Sequence, residues 1–366
     1  MSLMDGIPLQ LTDRGLYCEA GGFFVDPWRP VERAVVTHAH ADHATWGCGH
    51  YLTSAEGEHV LRARVGREAA IQTLPFGAGL RLDRARISLH PAGHILGSCQ
   101  VRIEVDGFAL VASGDYKTTP DRTCTPFEPV RCHAFLTEST FGLPIYRWRP
   151  QAETFAEIDA WWRANAEAGK ASLLYAYALG KSQRLLAGID PSIGPIYTHG
   201  AVEPLNRAYV ETGIPLPHTE HAGAKPTQGT GWAGALILAP PSAQGTPWTR
   251  KFGAQSSGYA SGWMAIRGPR RRRAVDRGFV LSDHADWAGL LEAIAATGAE
   301  TVLVTHGYSA VLSKWLQEAG LRAEALPTRF AGELDAAPEF DTEATAPAGD
   351  GEPPAEVDAA PGEATP

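Results

Sequence analysis

Cysteine is scarce in this chain and badly spaced for most structural uses. The five present, Cys18, Cys48, Cys99, Cys124 and Cys132, are odd in number and include no C-x-x-C pair. That excludes a disulfide framework and a cysteine zinc site, and it fits thiols kept reduced in a cytosol. Long apolar runs are missing too, since nothing approaches the ~20 residues that span a bilayer. The opening Met1-Ser2-Leu3-Met4-Asp5-Gly6 lacks a basic flank followed by an apolar stretch, so no secretory signal is expected. The expected location is cytoplasmic, with no membrane partner. Basic charge is not in excess either. The formal net charge is -9, and nine acids with no Lys or Arg fall between Asp335 and Pro366, which leaves the remainder near neutral. Residues 335–366, rich in Ala, Pro, Gly and acid, have little to bury and are expected to be disordered. A neutral body neither demands nor excludes a polyanionic partner. No repeat at a solenoid period is present.

What the chain does have is a dense run of ligands. Thr37-His38-Ala39-His40-Ala41-Asp42-His43 carries three imidazoles and a carboxylate directly after the apolar Val35-Val36, in a chain with 13 His among 366 residues. Val35 and Val36 read as the end of a buried strand, with the four polar groups on the loop at its tip. Groups on a loop can converge on a point, and imidazole with carboxylate suits zinc above other metals.

The same pattern recurs downstream. Asp115, Glu138, His284 and His306 each follow an apolar strand, and His94 lies on a loop after Pro91-Ala92-Gly93. If these strands belong to one sheet layer, their ends lie side by side and the groups meet in one crevice. Asp106-Gly107 predicts a hairpin between strands at 100–105 and 108–113. Helices are expected over 60–70 and 154–168, strands over 86–90, 134–137, 172–176, 278–282 and 301–305, and a loop over 240–262.

His38, His40 and His94 can make one zinc site. Asp42 and His43 can begin a second, with Asp115 bridging the two and His306 completing it. Two divalent cations ~3.5–4 Å apart suit hydrolysis at phosphorus, and His/Asp sites accept manganese as well as zinc. Glu138 could accept a hydrogen bond from His284, raise that imidazole's pKa and orient it as a proton donor to a leaving alkoxide; the lesser alternative is an ordinary buried ion-pair partner. Asp26 reads as a carboxylate that orients the histidine loop, and Asp286 as a helix cap. Gly180-Lys181-Ser182 lacks the upstream Gly of a P-loop, but Lys181 and Ser182 at a helix start could cradle a backbone phosphate. Arg270 and Arg271, in the run Arg270 to Arg273, could track phosphates or merely solubilise a loop.

H-A-H-A-D-H, with Asp26 upstream and His94 and Asp115 downstream, resembles the metallo-β-lactamase fold. Thr137-Glu138-Ser139-Thr140, Ser282-Asp283-His284-Ala285-Asp286 and Thr305-His306-Gly307 are similar to the three further motifs of its β-CASP branch, the nucleic-acid-processing nucleases. Ala239-Pro-Pro-Ser-Ala, Ala260-Ser-Gly-Trp-Met264 and Leu281 to Trp287 resemble the bacterial ligase-associated DNA exonucleases. The resemblance covers about residues 10 to 334. It implies an α/β (α+β) chain: an αββα sandwich built from 1–143 and 276–334, interrupted by a smaller α/β β-CASP domain at 144–275, with 335–366 outside. It implies two Zn2+ (or Mn2+), Asp42 and Asp115 acting in catalysis, Asp115 bridging the metals, His306 as a ligand, and His284 with Glu138 as the proton-donor pair. Nucleic acid is the implied substrate, with a DNA ligase and a helicase as implied partners. His306 is the choice usual among RNA-cleaving members, whereas the subgroup match favours DNA. The competing readings are an RNase of the RNase J or mRNA 3′-end-processing type and a small-molecule metallo-hydrolase.

Overall fold

The computed structural model describes residues 3–4, 6–223, 231–266, 268 and 274–327. Arg270, Arg271 and the acidic tail lie outside them. Strands β1 (Gln10–Thr12), β2 (Gly15–Cys18), β3 (Phe23–Val25), β4 (Arg33–Val35), β5 (His50–Ser54) and β6 (Ile71–Leu74) form a first sheet in sequence order. A second sheet holds β7 (Gly79–Leu82), β8 (Ala85–Pro91), β9 (Cys99–Val105), β10 (Phe108–Ala112) and β11 (Ala134–Glu138). Two late strands complete it: β18 (Thr301–Thr305) lies between β11 and the edge strand β19 (Arg322–Ala325), parallel to both. The β9–β10 pair is the expected hairpin, with Asp106 and Gly107 at φ 49° and 83° as a two-residue turn with both centres left-handed requires.

The two sheets pack face to face. Val25, Val35 and Leu52 of the first meet Leu89, Val101, Ile103, Leu110 and Leu136 of the second in one core. Burying each such side chain contributes about 1.5–3 kcal/mol. Helices cover the outer faces. Val60, Leu61 and Val65 of α1 (Glu58–Val65) cluster with Ala34, Val36 and Tyr51 on the outside of the first sheet. On the other side, α5 (Trp287–Thr297) and α6 (Ser309–Glu318) cover Val111, Phe135, Val302 and Val304. The layers are helix, sheet, sheet, helix.

The third sheet is all parallel and separate from this sandwich. Its order is β14 (Glu220–His221), β13 (Ile196–Thr198), β15 (Leu236–Ala239), β12 (Ala171–Tyr175), β16 (Gln255–Ala260), β17 (Arg277–Phe279). Both its faces are buried, so its central strands are near-continuous apolar runs. Ile158, Trp161 and Trp162 of α2 (Gln151–Glu167) and Leu185 and Leu186 of α3 (Lys181–Gly188) cover one face. A further helix, α4 (Glu203–Glu211), places Leu205, Ala208 and Tyr209 against α1, so the third-sheet unit docks on the first sheet's outer layer. Among the described residues no helix is long and apolar enough to cross a membrane.

Three expectations need correction. The stretch 240–262 is not all loop: Gln255–Ala260 is a strand, hidden from the sequence because Gln-Ser-Ser-Gly-Tyr-Ala has neither alternation nor β-branched side chains. The strand expected over 278–282 is Arg277–Phe279, pairs with β16 and lies just past the expected boundary at 275. The site residues therefore do not sit at the tips of one sheet layer. They follow strands of all three sheets, whose ends meet where the third sheet docks on the sandwich.

Candidate metal centre

The loop after β4 turns back at once, with the N–H groups of His43 and Ala44 both donating to the His40 carbonyl. His38, His40, Asp42 and His43 thus ride on one tight turn. Asp26, just past β3, fastens it. Its Oδ1 accepts from Thr37 N at 2.8 Å, and its Oδ2 accepts from Thr37 Oγ1 at 2.6 Å and His43 Nδ1 at 2.7 Å. Asp115 is delivered from β10 through Gly114, at φ 56°, where any Cβ would stand 2.6 Å from the Thr37 side chain.

Hydrogen bonds on the far side of each ring fix the tautomers. His94 Nδ1 donates to Asp283 O at 2.8 Å, and His40 Nε2 donates to Leu179 O at 3.2 Å. Thr37 Oγ1 gives its proton to Asp26, so it accepts from His38 Nδ1 at 3.1 Å. The lone pairs of His38 Nε2, His40 Nδ1 and His94 Nε2 are left pointing inward. His40 Nδ1 lies 3.1 Å from each of the other two, and Asp115 Oδ2 lies 3.6 Å from His38 Nε2 and 3.9 Å from His94 Nε2. Three lone pairs and a carboxylate repel one another unless a cation lies between them. Bonds of ~2.0–2.2 Å to a tetrahedral ion put donors ~3.4 Å apart, and the observed spacings bracket that value. This donor set fits a cation.

A second set adjoins it. His43 Nε2 is buried without a hydrogen-bond partner. It faces Asp42 Oδ2 and Asp115 Oδ2, each at 3.6 Å, too long for hydrogen bonds but suited to a shared ion. The His306 ring centre is 5.5 Å from that of His43, and His306 holds a left-handed φ of 53° just beyond β18. For a non-glycine residue that conformation is strained, and such strain gathers at functional sites. Asp42, His43 and His306 line one cleft with Trp28, Leu16 and Leu326.

The electrostatics suit cation binding. Burial, helped by neighbouring imidazoles, holds His38 and His94 well below the usual histidine range and lowers His40, so each ring is neutral at neutral pH and keeps one nitrogen lone pair free for a cation. Burial lowers His306 to about 4. Burial also pushes Asp115 up to about 7. Burial opposes a charge on His43, yet Asp42, Asp115 and Asp26 outweigh it and raise that imidazole to about 10. The protein thus places a proton where a cation would sit.

Glu138, the last residue of β11, and His284 form a buried pair. His284 Nδ1 donates to both carboxylate oxygens, at 3.0 and 2.9 Å, and Tyr116 N donates to Glu138 Oε1 at 2.7 Å. Burial would raise the Glu138 carboxyl, but His284 and these hydrogen bonds hold it below the usual range. Asp115, Glu138 and His284 also offer converging donor atoms, and the His284 ring stands 4.7 Å from that of His94. Asp286 caps α5, accepting from Gly289 N at 2.9 Å, and accepts from Trp148 N at 2.9 Å.

Lys181 and Ser182, two of the expected phosphate contacts, do not join this cluster. Lys181 is 1% exposed and faces Asp283, and Ser182 Oγ donates to Tyr177 O at 2.7 Å. Both are spent inside the fold, because α3 starts where the third sheet docks rather than at a surface. What approaches the centre there is Gly180, at φ 86°, whose absent Cβ would meet Ile95 at 2.2 Å and come within 3.9 Å of His40 Nε2. Sequence reasoning did not single out Thr37, Asp283 or the Leu179 carbonyl as supports. Only the adjacency of Asp283 to His284 hinted at one of them.

The chain is similar in part to known proteins. No family model matches the chain. A "Probable DNA ligase" of Opitutus terrae is 31% identical over 314 residues, which is 85% of this chain and 30% of that protein. An "Endoribonuclease YSH1" of Candida albicans is 30% identical over 122 residues, 33% of this chain and 14% of that protein. "Cleavage and polyadenylation specificity factor 73" of Drosophila melanogaster is 27% identical over 181 residues, 48% of this chain and 26% of that protein. These similarities support the β-CASP branch of the metallo-β-lactamase fold for this chain. The chain spans about 30% of the length of its ligase-named relative and less of the other two. A crystal structure of a protein of unknown function from Enterococcus faecalis V583 shares the fold, with TM-score 0.54 at 12% identity over 81% of this chain and 79% of that one.

Proposed function

We propose that this β-CASP protein is a metal-dependent phosphodiesterase that shortens DNA ends as an exonuclease, working with a DNA ligase in repair and in the company of a helicase. The observation that carries DNA is the match of 85% of the chain to part of a "Probable DNA ligase". His38, His40 and His94 with Asp115 would hold one cation, and Asp42, His43 and His306 with the same Asp115 the other; zinc suits this set and manganese would be accepted. Such cations supply positive charge that activates water and stabilises the oxygens of a displacement at phosphorus.

The chain's own residues do the rest. Asp26 and Thr37 keep the ligand turn rigid. Asp42, with a side chain 33% exposed, faces the cleft and can take the proton of the attacking water. As the new O–P bond forms and the old one breaks, His284 delivers its Nε2 proton to the leaving oxygen. Glu138 keeps the opposite nitrogen protonated and the ring aimed. We read residues 1–143 and those after β17 as the sandwich, and residues from 144 through β17 as the inserted unit, with the substrate strand between them. The endoribonuclease relatives and His306 favour a second reading, in which RNA is the strand cut.

The test is degradation of 5′- and 3′-labelled single strands, DNA beside RNA of the same sequence, with added zinc or manganese. DNA shortened from one end by the wild type, with kcat down about 10²–10⁴-fold in His284→Ala, supports the proposal. RNA cut while DNA survives moves the chain to the RNase reading. Turnover of a thioester or lactam with neither strand touched overturns both.

A further inference from the structure

Five charged side chains are buried together beside the centre, outside both ligand sets. Lys117, Lys181, Arg184 and Asp283 are 1–5% exposed, and the Asp121 side chain is 4% exposed. Lys117 pairs with Asp121, Lys181 Nζ lies 3.5 Å from Asp283 Oδ2, and Arg184 lies 3.5 Å from Asp121 and 2.9 Å from Asp283 Oδ1. Charges so far from water persist only when paired.

Lys181 and Arg184 both reach across from α3, and Arg184 does so with several hydrogen bonds. It projects from α3 of the third-sheet unit. Nε and Nη2 donate to Gln151 Oε1 at the start of α2, at 3.2 and 2.9 Å, and Gln151 in turn donates to Pro120 O at 2.9 Å. Nη1 donates to Ser282 O and to Asp283 Oδ1. One guanidinium therefore grips the Ser282–Asp283 peptide from its carbonyl and its side chain at once, a fork that Lys cannot reproduce. The Asp283 carbonyl is the acceptor that fixes His94 Nδ1, and the next residue is His284.

We propose that Arg184 is a positioning residue that couples seating of the third-sheet unit to the orientation of His94 by holding the Ser282–Asp283 peptide. Its effect on turnover rests on the nuclease reading; its effect on cation binding does not. Partners one step behind a metal ligand typically change affinity by about 10–100-fold when removed. Lys117 belongs to the same buried network but pairs with Asp121, away from the Ser282–Asp283 peptide, and so serves as the control.

The full chain and its Arg184→Gln, Arg184→Lys and Lys117→Met variants are stripped of metal and titrated with Co2+, following visible absorption, with thermal unfolding measured alongside. Arg184→Gln is expected to weaken Co2+ binding about 10–100-fold and alter the absorption band, and Arg184→Lys to recover part of the affinity. Lys117→Met is expected to lower the unfolding temperature while keeping Co2+ affinity within about twofold. If Arg184→Gln does not fold, Arg184→Lys carries the comparison. Wild-type Co2+ affinity and absorption in the folded Arg184 variants would overturn the coupling, as would an equal loss in Lys117→Met. On a labelled strand kcat should fall in Arg184→Gln with KM unchanged. If the wild type cuts no strand, the nuclease reading fails while the Co2+ series still decides this one.

Discussion

His43 shows how one residue's surroundings define a function. Its Nδ1 is held by Asp26 and its Nε2 has no partner, so only a proton or a cation can occupy the space between it, Asp42 and Asp115. The sign of the pH effect follows. With His43 raised to about 10 and Asp115 to about 7, a cation arriving at pH 7 must displace protons, and its affinity rises with pH until about 10. Calorimetric titration of the stripped protein in buffers of different ionisation enthalpy should report release of about one to two protons per pair of ions. His43→Ala should lose one of the two binding events. No proton release would mean that the buried nitrogen is not a ligand. At this scale the sequence was most informative: six residues, His38 to His43, named their own chemistry. Their supports were not legible, because a Thr hydroxyl or a Leu carbonyl carries no mark of its use until the fold brings it to a ring nitrogen.

Among the elements, α5 is tied to the site from its first turn. Asp286 caps it and also accepts from Trp148 N, while Trp148 Nε1 donates to the His284 carbonyl at 2.9 Å. Asp286→Ala should therefore cost about 1–2 kcal/mol by urea unfolding, at the high end for a lost cap because a second donor is orphaned. A smaller cost would show that water replaces both bonds. Elements with a strong period or turn signal, such as the Asp106-Gly107 hairpin and α2, could be read directly. Strand β16 could not, since its small and polar residues are made a strand by β12 and β17 on either side rather than by their own preference.

At the scale of the whole molecule, the junction of sandwich and third sheet rests on buried charge. Burial would raise Asp121, but Lys117 and Arg184 depress its carboxyl below the usual range. The stability it supplies is thus fully present above its unfolded pKa of ~3.9 and is lost as pH falls through the lower folded value. Urea midpoints measured from pH 5 to pH 2.5 should fall less steeply in Asp121→Asn than in the wild type; parallel curves would remove Asp121 from the acid response. Which sheets meet here was beyond the sequence, because apolar strands advertise burial but not their neighbours.

Strand β18 sits in the interior of the second sheet, paired to β11 across 167 positions of chain, and it delivers His306. On the ribosome this has a plain effect. Neither the sheet nor the second ligand set can close until residue 306 has left the exit tunnel, so every shorter nascent chain holds at most the first ligand set, and the paired centre is assembled late in translation.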